Sequence, residues 1–154
     1  QPKWIFCRPI ACRMFPALCC AHPPADDLRE VVMSEYSALG KPVTKFERLD
    51  QIPTPCQSIS YHSDQLVSAC PVTGQTDFYD VTIDLDADGI GIETKTLKLY
   101  LETYQGKRIF CEDLAVTICE DIFNASHPLR CAVTLVQRRR GGIQITARHE
   151  LKKS

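Results

Sequence analysis

Two consecutive apolar stripes at helical spacing, set between two pairs of β-prone segments, constrain this chain more than any other feature of its sequence. In Thr94–Gln105 (TKTLKLYLETYQ), Leu97, Tyr100, Leu101 and Tyr104 fall at i, i+3, i+4 and i+7. In Glu112–Ala125 (EDLAVTICEDIFNA), Leu114, Ala115, Ile118, Cys119 and Ile122 form a second stripe. Each segment predicts a helix with one buried face, the first stopped at Gly106 and the second before Ser126-His127-Pro128. Upstream, Ser58–Ala69 has β-prone pieces around Ile59, Tyr61, Leu66 and Val67, and Phe78–Leu85 (FYDVTIDL) alternates at period two. Asp86–Gly91 (DADGIG) reads as a turn cluster. Downstream, Arg130–Gln137 and Ile143–His149 are β-rich and joined by a hairpin-like junction, Arg138-Arg139-Arg140-Gly141-Gly142.

The predicted order is therefore strand, strand, helix, helix, strand, strand: an α+β domain with two helices on one face of a four-stranded antiparallel sheet. Such a sheet has two open edges, which proteins relieve by pairing or closure, so self-association into a barrel of sheets is expected.

At 154 residues the chain has room for one domain, expected over residues 58–154. Residues 33–57, with Pro42, Pro53 and Pro55, read as an extended arm leading into it. Residues 1–32 are interrupted by Pro and Arg, show no regular period and lack the unbroken apolar stretch of a signal peptide. They read as a non-native or disordered extension, with Met33 as the natural start. No apolar run approaches the roughly 20 residues of a membrane span, and a formal charge of -1 gives no global basic excess for nucleic acid. Of nine cysteines, four crowd into the first twenty residues. The other five are widely spaced, without zinc-ligand spacing. They read as reduced thiols of a cytoplasmic protein, with no metal site.

The chemistry-bearing residues sit at the junctions. The stretch Ser68–Phe78 (SACPVTGQTDF) sets Cys70 against a proline and places Asp77 after a glycine-containing turn. Taken alone, Cys70 reads as a buried structural cysteine and Asp77 as a turn or cap residue. Lys95 and Lys98 lie one helical turn apart, which suits either phosphates or a solvated basic face. Glu112, at a helix start, suits the helix dipole.

Taken together, SACPVTGQTDF, Ile92–Tyr100 (IETKTLKLY), Phe110–Asp113 (FCED) and Arg140–Ile143 (RGGI) resemble the NADPH-dependent 7-cyano-7-deazaguanine reductases, the QueF family of nitrile reductases in its single-module form. The resemblance covers roughly residues 66–146. It implies a tunnelling fold (T-fold) of ββααββ subunits that assemble into homo-oligomeric barrels with active sites at subunit interfaces. It implies that Cys70 adds to the nitrile to give a thioimide, that Asp77 donates the proton through a carboxyl of raised pKa, and that hydrides from NADPH complete the reduction to 7-aminomethyl-7-deazaguanine in queuosine tRNA modification. Ile92, Glu93, Thr94, Cys111 and Glu112 take substrate-binding positions, with Glu112 accepting N–H donors of the deazapurine. Lys95, Lys98, Tyr100 and Arg140 take cofactor-binding ones, the cations pairing the NADPH phosphates without a Rossmann glycine loop.

Cys111 stands where most relatives have histidine, and Thr76, Thr94, Thr96 and Arg139 depart more mildly. His62, His127 and His149 fall in no motif. Two other functions share parts of this pattern. A QueF-like amidinotransferase acts by the same cysteine addition on a base already in transfer RNA, forming archaeosine, but lacks the Lys95, Lys98 and Tyr100 signature. A non-catalytic purine- or pterin-binding module would keep Glu112 without needing Cys70 and Asp77. The reductase reading takes a small 7-deazapurine as partner, with no membrane and no direct nucleic acid.

Overall fold

The computed structural model describes residues 36–154. Residues 1–32 and the start expected at Met33 lie outside the described residues. The elements run β1 (Gln51–Pro53), β2 (Ser58–Ala69), β3 (Thr76–Asp86), β4 (Ile90–Ile92), α1 (Thr94–Glu102), α2 (Cys111–Ser126), β5 (Arg130–Arg140) and β6 (Ile143–Lys152). The main sheet is antiparallel with strand order β2-β3-β5-β6, so the molecule is α+β with the predicted ββααββ order. Among the described residues no helix is long and apolar enough to cross a membrane.

Alternation fixes the sheet's buried face. On β3, Tyr79, Val81, Ile83 and Leu85 point inward, and each is at most 1% exposed. The register sets Val81 opposite Leu135, Ile83 opposite Val133 and Leu85 opposite Cys131. This double row meets Leu114, Ile118 and Ile122 of α2, which lies against β5 and β6. Each such aliphatic side chain contributes about 1.5–3 kcal/mol on full burial, so the middle of the sheet anchors the domain and leaves its ends free to vary.

Three differences from the sequence expectation have local causes. The first helix ends at Glu102 rather than Gln105: beyond it Thr103, Tyr104 and Gln105 donate to the carbonyls three residues back, a tighter turn that Gly106 closes at φ 79°. β5 extends through all three arginines, because a two-residue turn suffices when Gly141 and Gly142 both adopt positive φ, 56° and 84°. The arm is more than an extended lead-in, since β1 pairs antiparallel with β4 in a second, two-stranded sheet. Gly91 suits this close approach: a Cβ would sit 2.9 Å from Ile59 Cδ1 and 3.1 Å from the Tyr61 hydroxyl, so one of these side chains would have to shift. That hydroxyl donates to Ile92 O at 3.0 Å and accepts from Ile92 N at 2.9 Å. The backbone is thereby fixed where α1 begins.

Candidate active site

β2 ends at Ala69, and the chain must reverse before β3 can start. Pro71 presets one turn torsion, and Gly74 adopts φ 72°. Cys70 N–H donates to Gln75 O at 2.8 Å and Gly74 N–H to Cys70 O at 2.9 Å. The closed loop wraps Thr73 back onto the Cys70 sulfur. The Thr73 hydroxyl, then the Thr73 and Val72 backbone amides, and also Arg140, hold the Cys70 thiol well below its ordinary value of 9, at about 6. Near neutral pH Cys70 is therefore mainly thiolate, the nucleophilic form.

Two further segments reach this loop. Ala69 pairs with Lys107 and Ile109 by backbone hydrogen bonds of 2.8 and 3.1 Å, which draws Phe110-Cys111-Glu112 and the N-terminus of α2 to the end of β2. From the other side, the β5–β6 hairpin delivers Arg140. Its guanidinium donates to both Asp77 oxygens, at 2.8 and 3.1 Å, and to Gln75 Oε1 at 3.0 Å. Asp77 is only 4% exposed. Arg140, its pKa raised by contact with Cys70 and by the charge of Asp77, ties nucleophile and carboxylate into one unit.

These groups line a cavity of about 470 Å³ that also contains Cys111, Glu112 and Gln137, with Pro71, Ile109, Phe110, Ile143 and Ile145 as apolar wall. A few hundred Å³ with apolar walls and convergent polar groups suits a small heterocycle. Cys111 is unlike Cys70: burial, then the charge of Glu112, pushes its thiol up to about 11, so it stays neutral. Glu112 is exposed in the first turn of α2.

The remaining expected site residues lie elsewhere. Ile92 is buried, and Glu93 caps α1 by accepting from Lys95 N at 2.9 Å and Thr96 N at 2.8 Å. Tyr100 is 5% exposed, with its hydroxyl 2.6 Å from an Asp121 oxygen and 2.7 Å from the Tyr104 hydroxyl. The Lys95 ammonium donates to Lys41 O. Thr94 and Lys98 border a different cavity of about 510 Å³, beside Ser60, His62 and Ser63 of β2. Since β2 rises roughly 3.3 Å per residue, the β2 residues lining this second cavity, Ser60 to Gln65, lie roughly 15–30 Å along the strand from Cys70. Arg140 thus joins the Cys70 site, and not Lys95 and Lys98 within the same subunit.

Two residues of the Cys70 site went unmarked in the sequence. Thr73 lies inside SACPVTGQTDF but had no role assigned, because only the loop conformation turns it onto the sulfur. Gln137 was legible as a polar residue continuing the Cys131, Val133, Leu135 stripe, but strand assignment alone gave it no role.

The family model for QueF-like protein matches residues 76–154. The NADPH-dependent 7-cyano-7-deazaguanine reductase of Frankia casuarinae is 40% identical over 112 residues, covering 71% of this chain and 90% of the relative. The proteins of the same name from Syntrophus aciditrophicus and Thermomicrobium roseum are 35% and 33% identical, covering 85% and 71% of this chain and 92% and 90% of their own lengths. Among solved structures, the apo form of the archaeosine synthase QueF-Like superposes with a TM-score of 0.59 at 22% identity, covering 63% of this chain and 95% of that one. That likeness concerns the fold.

Proposed function

The chain belongs to the QueF-like protein family, and from that premise we propose that it reduces the nitrile of 7-cyano-7-deazaguanine to 7-aminomethyl-7-deazaguanine with NADPH, using Cys70 as nucleophile. The observation that carries this reading is the Cys70 loop: a thiol held at about 6 by Thr73, Val72 and Arg140, opening on the same cavity as Asp77 and Glu112. A nitrile carbon is a sluggish electrophile and needs a soft nucleophile that later departs, which a thiolate is. The sulfur forms a bond to the nitrile carbon, and the nitrogen takes one proton through Asp77. One thiolate and one proton are consumed, and a thioimide remains. Asp77 is held by Arg140 in the cavity that Cys70 lines, which sets its carboxyl beside the reacting nitrile. Glu112 accepts the paired N–H donors of the pyrimidine edge.

NADPH supplies the hydrides that carry the thioimide to the amine and release the sulfur. The second cavity fits such a group by its donor set: Lys98 and Thr94 stand beside serine hydroxyls and His62. There Lys98 would hold a phosphate, with Lys95 one turn away on α1 and its ammonium on Lys41 O, while Tyr100 keeps α1 in place from within the core. Because the two cavities are so far apart in one subunit, α1 of a neighbouring copy completes each site in a homo-oligomer. Exposed Phe78, Phe110 and Ile143 beside the Cys70 loop support such an interface. Cysteines without disulfide partners among the described residues and a requirement for NADPH support a cytoplasmic setting for the reaction.

The test is NADPH oxidation with 7-cyano-7-deazaguanine, comparing the parent with Cys70→Ala. Nitrile-dependent oxidation lost in the variant is expected. A folded parent that oxidises no NADPH removes the assignment, and a covalent mass increment on Cys70 without oxidation indicates the transferase instead.

A further inference from the structure

The inward stripe of β5 reads Cys131, Val133, Leu135, Gln137, and its first three members are fully buried aliphatic or thiol side chains. Gln137 continues the stripe at 6% exposure, opposite Tyr79 of β3 and Ile145 of β6. Packing would favour a nonpolar residue here. Among the described residues the Gln137 side-chain amide makes no hydrogen bond. Yet every side-chain nitrogen or oxygen cut off from solvent among the described residues has a partner. The amide therefore opens onto the Cys70 cavity, which Gln137 lines. Water can hydrate the amide there, so a ligand that displaces that water must supply a partner of its own or lose affinity.

The cavity's other polar groups are committed. Arg140 is spent on Asp77, Gln75 and the Cys70 sulfur. Cys111 is a neutral thiol, a weak donor. Asp77 is taken up by Arg140 and the nitrile nitrogen, and Glu112 by the ring N–H groups. A 7-deazaguanine presents ring N–H donors and, beside them, a lactam carbonyl that also neighbours the position bearing the nitrile. With Glu112 accepting the N–H groups, the carbonyl needs a donor between Glu112 and Cys70. An amide supplies one without adding a charge that would compete with Arg140 for Asp77.

Resting on the function proposed above, we propose that Gln137 is a substrate-specificity residue whose side-chain N–H donates to the lactam carbonyl of the 7-deazaguanine. The test uses Gln137→Leu, which keeps volume and suits the stripe, with two ligands: 7-cyano-7-deazaguanine and the analogue in which hydrogen replaces the carbonyl oxygen. The expected result is a melting temperature no lower than the parent's, a KM for the nitrile raised roughly tenfold, and kcat changed much less. Gln137→Glu, which sets an acceptor against the carbonyl, should raise KM further. The analogue also loses the N–H that Glu112 accepts, so the informative quantity is a difference: replacing the carbonyl should cost the parent roughly tenfold more than it costs Gln137→Leu. An unchanged KM in Gln137→Leu, or equal losses on both proteins, overturns the assignment while leaving an active reductase standing. A Gln137→Leu protein that melts earlier makes Gln137 a packing residue and also overturns it. A parent that does not turn over the nitrile at all removes the underlying function and this proposal with it.

Discussion

The start of β3 and the start of α1 each hold a carboxylate that is 4% exposed, Asp77 and Glu93, and they use it in opposite ways. Glu93 spends its oxygens on the backbone N–H groups of Lys95 and Thr96, two and three residues on. Asp77 is paired with a side chain 63 residues away that also touches a reactive sulfur and lines a cavity. Burial alone therefore marks neither one as functional. The distinction lies in the partner: a local backbone partner satisfies an unpaired helix terminus, whereas a long-range cation carried on a separate hairpin holds charge where a reaction can use it.

The sharpest way to break that comparison is to remove the group that the Asp77 side serves. Cys70→Ala should lower kcat/KM for the nitrile on the order of 10⁴-fold or more, because the covalent route vanishes. Its melting temperature should stay near the parent's, since Cys70 is only partly buried. Unfolding that accompanies the loss would assign Cys70 to the fold instead. Next in size is Glu93→Ala, which removes a helix cap and should cost about 1–2 kcal/mol of stability, read as a lower denaturant midpoint with an unchanged slope. The folded fraction should keep its kcat. A fall in kcat without a stability change would move Glu93 to the chemical side of the comparison.

Thr73→Ala tests how the loop makes its thiolate. The Thr73 hydroxyl is the largest cause of the lowered Cys70 pKa, so its removal moves that pKa up from about 6 toward 9. The acid limb of kcat/KM should then shift to higher pH. At pH 7 the variant should be slower because less sulfur is ionised, and above pH 9 the two proteins should converge. Alkylation rate against pH reads the same shift without substrate. A limb that stays at about 6 would leave the backbone amides and Arg140 as the whole cause.

How much of this was legible depended on what each signal required. The long elements announced themselves, because β3 alternates buried and less buried residues along its whole length and α1 buries Leu97, Tyr100 and Leu101, with Tyr104 following in the turn after it. The β1–β4 pair did not, since three-residue strands containing Pro53 and Gly91 are too short for periodicity to show. At the site, SACPVTGQTDF marked Cys70 and Asp77, which the fold brings to one cavity. Sequence could not give the direction of side chains across loops. The resemblance set Arg140 with Lys95 and Lys98, and within one subunit a two-glycine turn aims it at Asp77 and Cys70 instead. Tyr100 shows the same limit: its place in the α1 stripe was readable, whereas its contact with Asp121, 21 residues away, was not.

The smallest expected stability change comes from Lys98→Ala, which probes the outer face of α1. Lys98 and Glu102 are an i,i+4 pair at 3.7 Å with side chains 67% and 53% exposed. Such pairs contribute only about 0.3–0.5 kcal/mol, and lysine preceding glutamate is the weaker orientation. The melting temperature should therefore move by only about 1–3 degrees. Because the fold loses almost nothing, any rise in KM for NADPH can be charged to lost contact with the cofactor. A several-fold rise with kcat unchanged is expected if α1 presents its cations to phosphates. An unchanged KM would leave Lys98 a solvated residue and confine the chemistry of this chain to the Cys70 end of the sheet.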